Sequence, residues 1–484
     1  MKPPDNIGWR YDRKVDELCP VSKRLSDISM ASSGRHQLLA CELSYFSGKI
    51  RPYLKYKNIP FDSVTATEEV YEKLIFPRVG WNVVPVVITP DDKTLQDTTA
   101  IIEHLERNHP EPSVLPTTPI QTLVSMLLEL YADEWLLIPA MHYRWSFMEQ
   151  RKFVDLQFGR AAAPTSPPLE QMDNPERFGS YENFKNSLPV LGVNEETIPE
   201  IERSYKEFLD DFQTHLSRYP YLLGDKPCVA DFAFCGPLYP HLYRDPVPVV
   251  WLAGLVGWLV GWLIGWLVGW LVGWLAGWLA GWLAGWLAGW LAGWLAGWLA
   301  GWLVGFLMRC RAPVVACWVE TMIGVLQESP ADVYTVVDGK AVKVPPPEVP
   351  RGFLPDDEIP ETLFPILQRM FTEQGPVLLD TVKKFEEYIK ESADETDMMR
   401  VIGVHDFRLG DVTSVRAMLV YPLWMLQRIT DYYSSLSPAQ RRDVDGFLDR
   451  FQGGKELVKV DLSRCRMERK TVGVTVAKPG NAKL

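Results

Sequence analysis

The chain has 484 residues, with 50 Lys and Arg against 61 Asp and Glu, which gives a formal net charge of −11. This length exceeds what one hydrophobic core can organise and predicts several domains. The negative charge, without a long basic run, argues against nucleic acid as a partner. The seven cysteines form no Cys-x-x-Cys pair, so we expect a reducing compartment and buried thiols, not a disulfide framework or a zinc site.

The N-terminal third begins with a polar segment and continues as alternating strands and helices. Residues 1–33 lack the apolar segment of a secretory signal, which predicts a loosely ordered tail and a cytoplasmic protein. Apolar runs and turn residues then predict, in order, a strand over 36–43, a helix over 49–57, a strand over 61–64 and a helix over 68–76. Pro52 fits its helix only in the first turn. The two helical crossovers would allow parallel strand pairing.

The central stretch of this region is residues 81–105. Val83 begins a β-branched run that reads as a buried strand, with Pro85 near its start. A turn at 90–93 precedes a further strand, and Asp97 and Thr98 then stand before a helix with apolar periodicity. One interpretation is that these two residues only cap the helix.

Strand, turn, strand and capped helix, with Val-Pro at the entry, resemble the glutathione-binding half of the glutathione transferase family. The resemblance implies a thioredoxin-like α/β domain over 34–113, followed by an all-α domain. It implies a cis Pro85, with Val84 pairing main chain to main chain with the cysteine of glutathione. It also implies that Asp97 and Thr98 hold the γ-glutamyl carboxylate.

The loop before the first helix falls where this family carries its thiol-activating residue. Ser44 is the first candidate, and Tyr45 and Ser47 are its rivals. A thiol has a pKa of roughly 8.5–9, so a hydroxyl donor is needed to stabilise the thiolate at neutral pH. The alternative is that both serines are only turn and capping residues.

A proline-rich hinge leads to a helical domain predicted over 119–248 and 305–328. A helix over 123–138 continues through 141–145, and residues 161–186 are expected to form a loop. The resemblance places an electrophile pocket along this helix, although an aromatic stripe at helical spacing is also typical of a core. No histidine has a partner at metal-ligand spacing, so we expect no metal. The pocket candidates are Tyr131, Trp135, His142 and Trp145.

A second buried helix is predicted after residue 221. Cys228 occupies its N-cap and Asp231 follows three residues later, as in a capping box. Because a thiol accepts hydrogen bonds weakly, we expect a poorer cap than serine would give.

Residues 249–304 repeat Gly-Trp-Leu-(Ala/Val/Ile) in tetrads without a charged residue. A membrane segment is one interpretation, since length, apolarity and Gly-x-x-x-Gly spacing allow a transmembrane helix. A functional repeat module is a second, but a straight helix drifts about 40° per tetrad and carries a glycine every turn. We favour expansion of a tandem repeat within a surface loop, because its flanks read as one uninterrupted segment when joined. Such a tract would still seek lipid or aggregate.

The remaining chain is predicted as a proline-rich linker over 329–360 and a mostly helical extension over 361–484. Helices are expected over 360–370, 376–390 and 424–433, with hairpin-like turn residues in 405–419 and a capping box from Ser437 to Gln440. No chemistry is predicted for the extension, which would pack on the helical domain or on a homodimer partner.

The leading hypothesis is an enzyme that conjugates glutathione, as substrate, to a small electrophile. The alternative is a non-catalytic binding or scaffold protein on the same fold, since one fold hosts many functions. Either form could be tethered to a membrane through 249–304.

Overall fold

The computed structural model describes residues 34–178, 181–246, 306–324, 334–337, 340–343, 352–391, 401–469 and 474–476. The predicted tail over 1–33 and the repeat over 249–304 lie outside the described residues.

A four-stranded sheet forms the centre of the N-terminal domain, in the order β2-β1-β3-β4. Strand β1 pairs in parallel with β2 and antiparallel with β3, and β3 pairs antiparallel with β4. The thioredoxin-like fold is therefore confirmed, but the second crossover leads to an antiparallel pair, where we expected a parallel one. The elements are β1 His36–Ala40, α1 Ser47–Tyr56, β2 Phe61–Thr65, α2 Glu68–Val70, α3 Phe76–Val79, β3 Val86–Ile88, β4 Thr94–Gln96 and α4 Thr98–Asn108.

Two helices of this domain differ from their predictions. Helix α1 begins at Ser47, so Pro52 lies inside it and not in its first turn. Proline there supplies no N–H to the carbonyl four residues earlier, and tertiary packing must compensate. A π-helical turn over Tyr71–Ile75 joins α2 to α3. The helix expected over 68–76 therefore extends to Val79.

The helical domain follows, and its first long helix breaks where the prediction ran on. The chain turns at Trp135 and Leu136 before resuming as a second helix. The loop expected over 161–186 contains short helices. The helices are α5 Pro119–Glu134, α6 Leu137–Trp145, α7 Arg151–Ala162, α8 Pro168–Asp173, α9 Tyr181–Lys185, α10 Ile198–Leu216, α11 Val229–Pro237, α12 Phe306–Arg311 and α13 Pro313–Ile323, with a π-helical segment over Leu238–Tyr243 and 3₁₀ turns at Met148–Gln150, Pro175–Arg177 and Pro189–Leu191.

The two domains share one hydrophobic core, and α11 is its central helix. The rings of Tyr53 on α1 and Phe232 on α11 meet edge to face at 5.6 Å. The predicted capping box is present, because Asp231 accepts hydrogen bonds from the backbone N–H groups of Cys228 at 2.9 Å and Leu222 at 3.1 Å. The buried carboxylate thus satisfies two backbone donors at the start of α11.

The C-terminal extension combines helices with a hairpin. The hairpin confirms the turn expected in 405–419, and Ser437 and Gln440 form the predicted capping box. The elements are β5 Tyr334–Val337, β6 Lys340–Lys343, α14 Phe364–Arg369, α15 Gly375–Glu391, β7 Val401–Leu409, β8 Val412–Leu419, α16 Tyr421–Ser435, α17 Pro438–Leu448, α18 Gly454–Val458, β9 Met467–Arg469 and β10 Val474–Val476, with a π-helical segment over Met370–Gln374 and 3₁₀ turns at Pro355–Asp357 and Glu361–Leu363.

The described end of the predicted linker, 352–360, packs against the helical domain. Backbone hydrogen bonds join Leu354 N–H to Leu223 O at 2.9 Å and Asp225 N–H to Gly352 O at 2.9 Å. The extension is therefore fastened to the helical domain from residue 352 onwards.

Candidate glutathione site

The loop between β1 and α1 places Ser44 just before the helix. Its hydroxyl oxygen accepts a hydrogen bond from the backbone N–H of Ser47 at 3.2 Å, and the side chain is half-buried. This contact gives Ser44 the turn role named in the alternative, while the N-cap position of α1 is Phe46. Because the oxygen acts as acceptor, the hydroxyl hydrogen is not used in the contact and can still be donated. The turn contact and thiol activation are therefore compatible at this residue.

The two rival hydroxyls point elsewhere. Ser47 is fully buried as the first residue of α1, and its hydroxyl accepts from the N–H of Cys41 at 3.4 Å. Tyr45 is also buried, and its hydroxyl donates to the carbonyl of Ala132 on α5. Burial, together with the negative charges of Asp133 and Glu134, raises the pKa of Tyr45 well above its ordinary value. Its hydroxyl thus stays neutral and joins the two domains.

The Val84–Pro85 peptide bond is cis, as the resemblance implied. Pro85 is buried and directly precedes β3, while Val84 is half-buried and packs on the cores at both faces of the sheet. The N-terminal end of β3 therefore carries the expected cis peptide bond.

Asp97 is the N-cap of α4, and Thr98 is the first helical residue. The Asp97 carboxylate accepts from Ala100 N–H at 3.1 Å, and Thr98 is 5% exposed. Asp97 has a positive φ of 78°. Helix starts carry unpaired N–H groups and a positive partial charge, so the first turn of α4 suits an anion.

The extension reaches this same helix start, which the sequence analysis did not foresee. Tyr421, at the start of α16, donates its hydroxyl hydrogen to the Asp97 carboxylate. Arg469 donates from Nη1 to the carbonyl of Gln96 at 2.9 Å and lies 3.9 Å from Asp97 Oδ1. These residues lie more than 300 positions from Asp97 along the chain. No local sequence pattern could have placed them here.

A buried charge network lies beneath this helix start. The Lys49 ammonium contacts Glu129 at 2.8 Å and Asp133 at 2.6 Å, and Arg428 of the extension contacts Glu129 at 3.1 Å and Glu103 at 3.2 Å. Burial opposes ionisation of Glu129, but attraction to Lys49 and Arg428 outweighs it and lowers the pKa of that carboxyl. The only sequence signal was the spacing of Glu129 and Asp133, four residues apart on α5.

Asp133 behaves in the opposite way. Burial raises its pKa to about 6, and the neighbouring negative charge of Glu129 adds to this effect. Burial and the charges of Asp133 and Asp97 also raise the pKa of Glu134 well above its ordinary value. Arg416 and Lys49 oppose this effect on Glu134 but do not outweigh it.

The four residues predicted to line an electrophile pocket are not brought together. Tyr131 and Trp135 line a cavity of about 20 Å³, together with Glu373 and Leu409 of the extension. This volume is close to what one water molecule needs. His142 is buried, with Ser146 at 2.8 Å from Nδ1 and Glu202 at 3.4 Å from Nε2, while Trp145 packs on Phe158 and Tyr181. All four side chains are buried in the helical domain, and Tyr131 and Trp135 belong to the same hydrophobic core as Trp145.

Within the described ranges, no group of three or more His, Cys, Asp or Glu side chains is arranged to hold a metal ion. The helices of those ranges are also too short or too polar for any of them to cross a bilayer.

Comparison with known proteins supports the assignment of the first domain. Residues 38–113 match the family model of the glutathione S-transferase N-terminal domain. No curated protein matches the chain.

Three solved structures are similar to this chain at low sequence identity. A glutathione S-transferase from Rhodospirillum rubrum is 19% identical over 42% of this chain and 76% of its own, with a TM-score of 0.28. A Tau class glutathione S-transferase from mango is 15% identical over 60% and 88%, with a TM-score of 0.30. A Methylobacterium radiotolerans glutathione S-transferase, in complex with glutathione sulfonate, is 18% identical over 42% and 79%, with a TM-score of 0.25.

The mixed sheet with a capped helix at its edge, followed by a helical region, defines a thioredoxin-like domain joined to an all-α domain. Residues 38–113 are similar to the N-terminal domain of the glutathione S-transferase family.

Proposed function

We propose that the protein binds glutathione at the start of α4 and activates its thiol as a glutathione transferase does. The supporting observation is the Asp97-capped start of α4, inside the segment that matches the family model. Free N–H groups of the first turn and the Thr98 hydroxyl would receive the γ-glutamyl carboxylate. Val84, beside Pro85, would pair with the main chain of the glutathione cysteine.

Ser44 is the residue proposed to act on the sulfur. It stands just before α1, so the positive end of the helix and the hydroxyl donor act in the same direction. Together they should lower the pKa of the bound thiol by about one to two units, which is roughly 1.4–2.7 kcal/mol. The thiolate would then attack a small electrophile.

Ser44→Ala tests this role. We expect turnover on a generic electrophile to fall by about 10- to 100-fold while the glutathione Kd from calorimetry changes little, because the hydrogen bond favours thiolate over thiol. The same substitution removes the acceptor for Ser47 N–H, so thermal unfolding should be measured alongside. Ser47→Ala is the matched control, and it should leave turnover much less affected.

Tyr45→Phe tests whether the hydroxyl of Tyr45, and not that of Ser44, activates the thiol. Its hydroxyl contacts Ala132, so this variant should lose stability but keep thiol activation. If Tyr45→Phe abolishes turnover and Ser44→Ala does not, Ser44 is the wrong residue.

A second candidate is a non-catalytic glutathione-fold binding protein. The observation in its favour is that the extension contacts the Asp97 carboxylate and lines the cavity beside Tyr131. The two candidates differ in thiol chemistry. A bound glutathione that shows no thiolate absorbance at pH 7 would favour the binding protein.

A further inference from the structure

We propose that the C-terminal strand β9 supplies Arg469 as a ligand-binding residue that pairs with the γ-glutamyl carboxylate of glutathione. This inference rests on the proposed function, because it adds a residue to that same site. It assigns a binding role to a part of the chain that lies outside both glutathione transferase domains.

The first step is the position of the guanidinium. Arg469 reaches the junction of β4 and α4, where Nη1 donates to Gln96 O at 2.9 Å and lies 3.9 Å from Asp97 Oδ1. The side chain is 29% exposed, so a ligand can reach it. Arginine has five N–H donors in a planar fork that suits carboxylates. Within the described residues its contacts run through Nη1, which leaves Nε and Nη2 for a ligand.

The second step is the balance of charges around the start of α4. Glutathione carries two carboxylates and one ammonium, so it enters as an anion. The negative charge of Asp97 raises the pKa of both Asp133 and Glu134, and this acidic environment opposes an anion. Lys49 is already shared between Glu129 and Asp133. Arg469 is a cation at the start of α4 with donor capacity to spare.

The third step is how the guanidinium is held in place. Helix α16 buries Leu423, Met425, Leu426 and Ile429 in the common core. Gln427 of the same helix receives Met467 N–H at 2.8 Å and donates to Met467 O at 3.0 Å. This two-sided amide contact fixes β9 on α16, two residues before Arg469. Tyr421 at the start of α16 contacts the Asp97 carboxylate itself. The extension is thus a rigid support for Arg469.

The test measures ligand binding by calorimetry on the full chain with Arg469→Gln. We expect glutathione to bind about 10- to 100-fold more weakly, as for loss of a charge-assisted hydrogen bond. γ-Glutamylcysteine, which keeps the γ-glutamyl carboxylate, should lose affinity to the same extent. Cysteinylglycine, which lacks it, should bind the wild type and the variant within about twofold. Arg469→Lys should recover part of the loss, because it keeps the charge without the fork.

Arg466→Gln is the matched control, since Arg466 is close by in sequence but pairs with Asp431 at 2.8 Å on the exposed side of α16. It should leave all three affinities unchanged. If the wild type binds glutathione and Arg469→Gln binds it equally well or more tightly, the inference is overturned while the proposed function stands. An equal loss for cysteinylglycine would show general disruption and also overturn it. A wild type that binds no glutathione overturns the proposed function and the inference together.

Discussion

Asp97 combines a local and a long-range role in one side chain. Its φ of 78° and ψ of 126° are uncommon for any residue but glycine, although aspartate is among those that tolerate positive φ best. Such backbone conformations cost about 1–3 kcal/mol and persist where their surroundings fix them, often at binding sites. Here Ala100 N–H and Tyr421 both hold the carboxylate. The strained backbone thus aims the side chain across the first turn of α4.

The buried ammonium of Lys49 forms ion pairs with two carboxyl groups, those of Glu129 and Asp133. Glu129 has a second cation in Arg428, whereas Lys49 is the one ion-pair partner of Asp133 among the described residues. Within the described residues, Asp133 Oδ1 has no hydrogen-bond partner. The pKa of Glu129 accordingly falls and that of Asp133 rises.

Asp133→Asn should remove one component of the pH dependence of stability. The carboxyl titrates near 3.8 when unfolded and at about 6 when folded, so the folded state binds the extra proton in between. Stability therefore falls as pH rises through this window, by up to about 3 kcal/mol for a shift of two units. In urea denaturation from pH 4 to 7, the free energy of unfolding of the asparagine variant should rise relative to that of the wild type as pH rises.

Asp443→Asn, an exposed position on α17, is the control and should follow the wild type at every pH. If the curves of Asp133→Asn and the wild type run parallel, the Asp133 carboxyl is not perturbed.

At this scale, sequence reasoning found residues whose role is set by neighbours in the chain. Asp97 was identified because an N-cap acts within one helical turn. Arg469, Tyr421 and Lys49 were missed because their partners come from distant segments. His142 and Trp145 were assigned to a pocket because helical spacing cannot tell a pocket face from a core face.

Among the helices, α5 begins with a cap that comes from far along the chain. Thr118 occupies its N-cap position but makes no side-chain capping bond to the helix backbone. Instead, the Asp357 carboxylate accepts from Ile120 N–H and Gln121 N–H, both at 2.8 Å. A carboxylate at a helix start also interacts favourably with the helix dipole. The extension therefore completes the helix that carries Glu129 and Asp133.

Asp357→Ala should destabilise the protein by about 1–3 kcal/mol, since it leaves two backbone donors without their acceptor. Asp356→Ala is a closely matched control, because Asp356 is exposed and also has a positive φ, 55° against 61° for Asp357. Both variants place alanine at positive φ, so the difference in urea midpoint isolates the cap. Equal midpoints would show that the two hydrogen bonds contribute nothing net.

The types of the longer elements were predictable from periodicity, and their ends were predictable where a local cap exists. The short helices within 161–186 and the strands β5 and β6 within the expected linker were missed. Ser437 with Gln440 located the start of α17 for this reason. The break between α5 and α6 was missed, because Trp135 and Leu136 continue the apolar periodicity and the bend comes from packing. Trp135 donates its indole N–H to Glu373 of the extension at 3.1 Å, a contact that no local pattern encodes.

Across the whole molecule, the segments on either side of the repeat meet without it. Arg309 donates to the Tyr243 hydroxyl at 2.6 Å, and Tyr243 in turn donates to Glu320. The guanidinium of Arg309 lies 4.5 Å from the centre of the Tyr243 ring. The helical domain is thus closed by contacts between 238–246 and 306–324.

Deleting residues 249–304 should leave the fold and the glutathione affinity intact, because a short connection can replace the insertion at small entropic cost. Circular dichroism, urea unfolding and glutathione calorimetry would measure this. A deletion variant with an unfolded helical domain would show that the insertion is structural. Tyr243→Phe in the deletion background is the comparison. Because it removes the hydroxyl that contacts Arg309 and Glu320, it should destabilise the helical domain.

The register of β9 on α16 has a consequence for the sign of the charge beside α4. The Gln427 side chain hydrogen-bonds both the N–H and the carbonyl of Met467. These two bonds fix the register of β9, and the register places Arg469 at the start of α4. Successive strand residues face opposite sides, so a slip of one residue would bring Glu468 to the place of Arg469. A positive edge would become a negative one without any change of composition. The two hydrogen bonds of Gln427 therefore determine whether a positive or a negative side chain lies beside α4. Insertions between 427 and 469 should be tolerated only where they keep these hydrogen bonds to Met467.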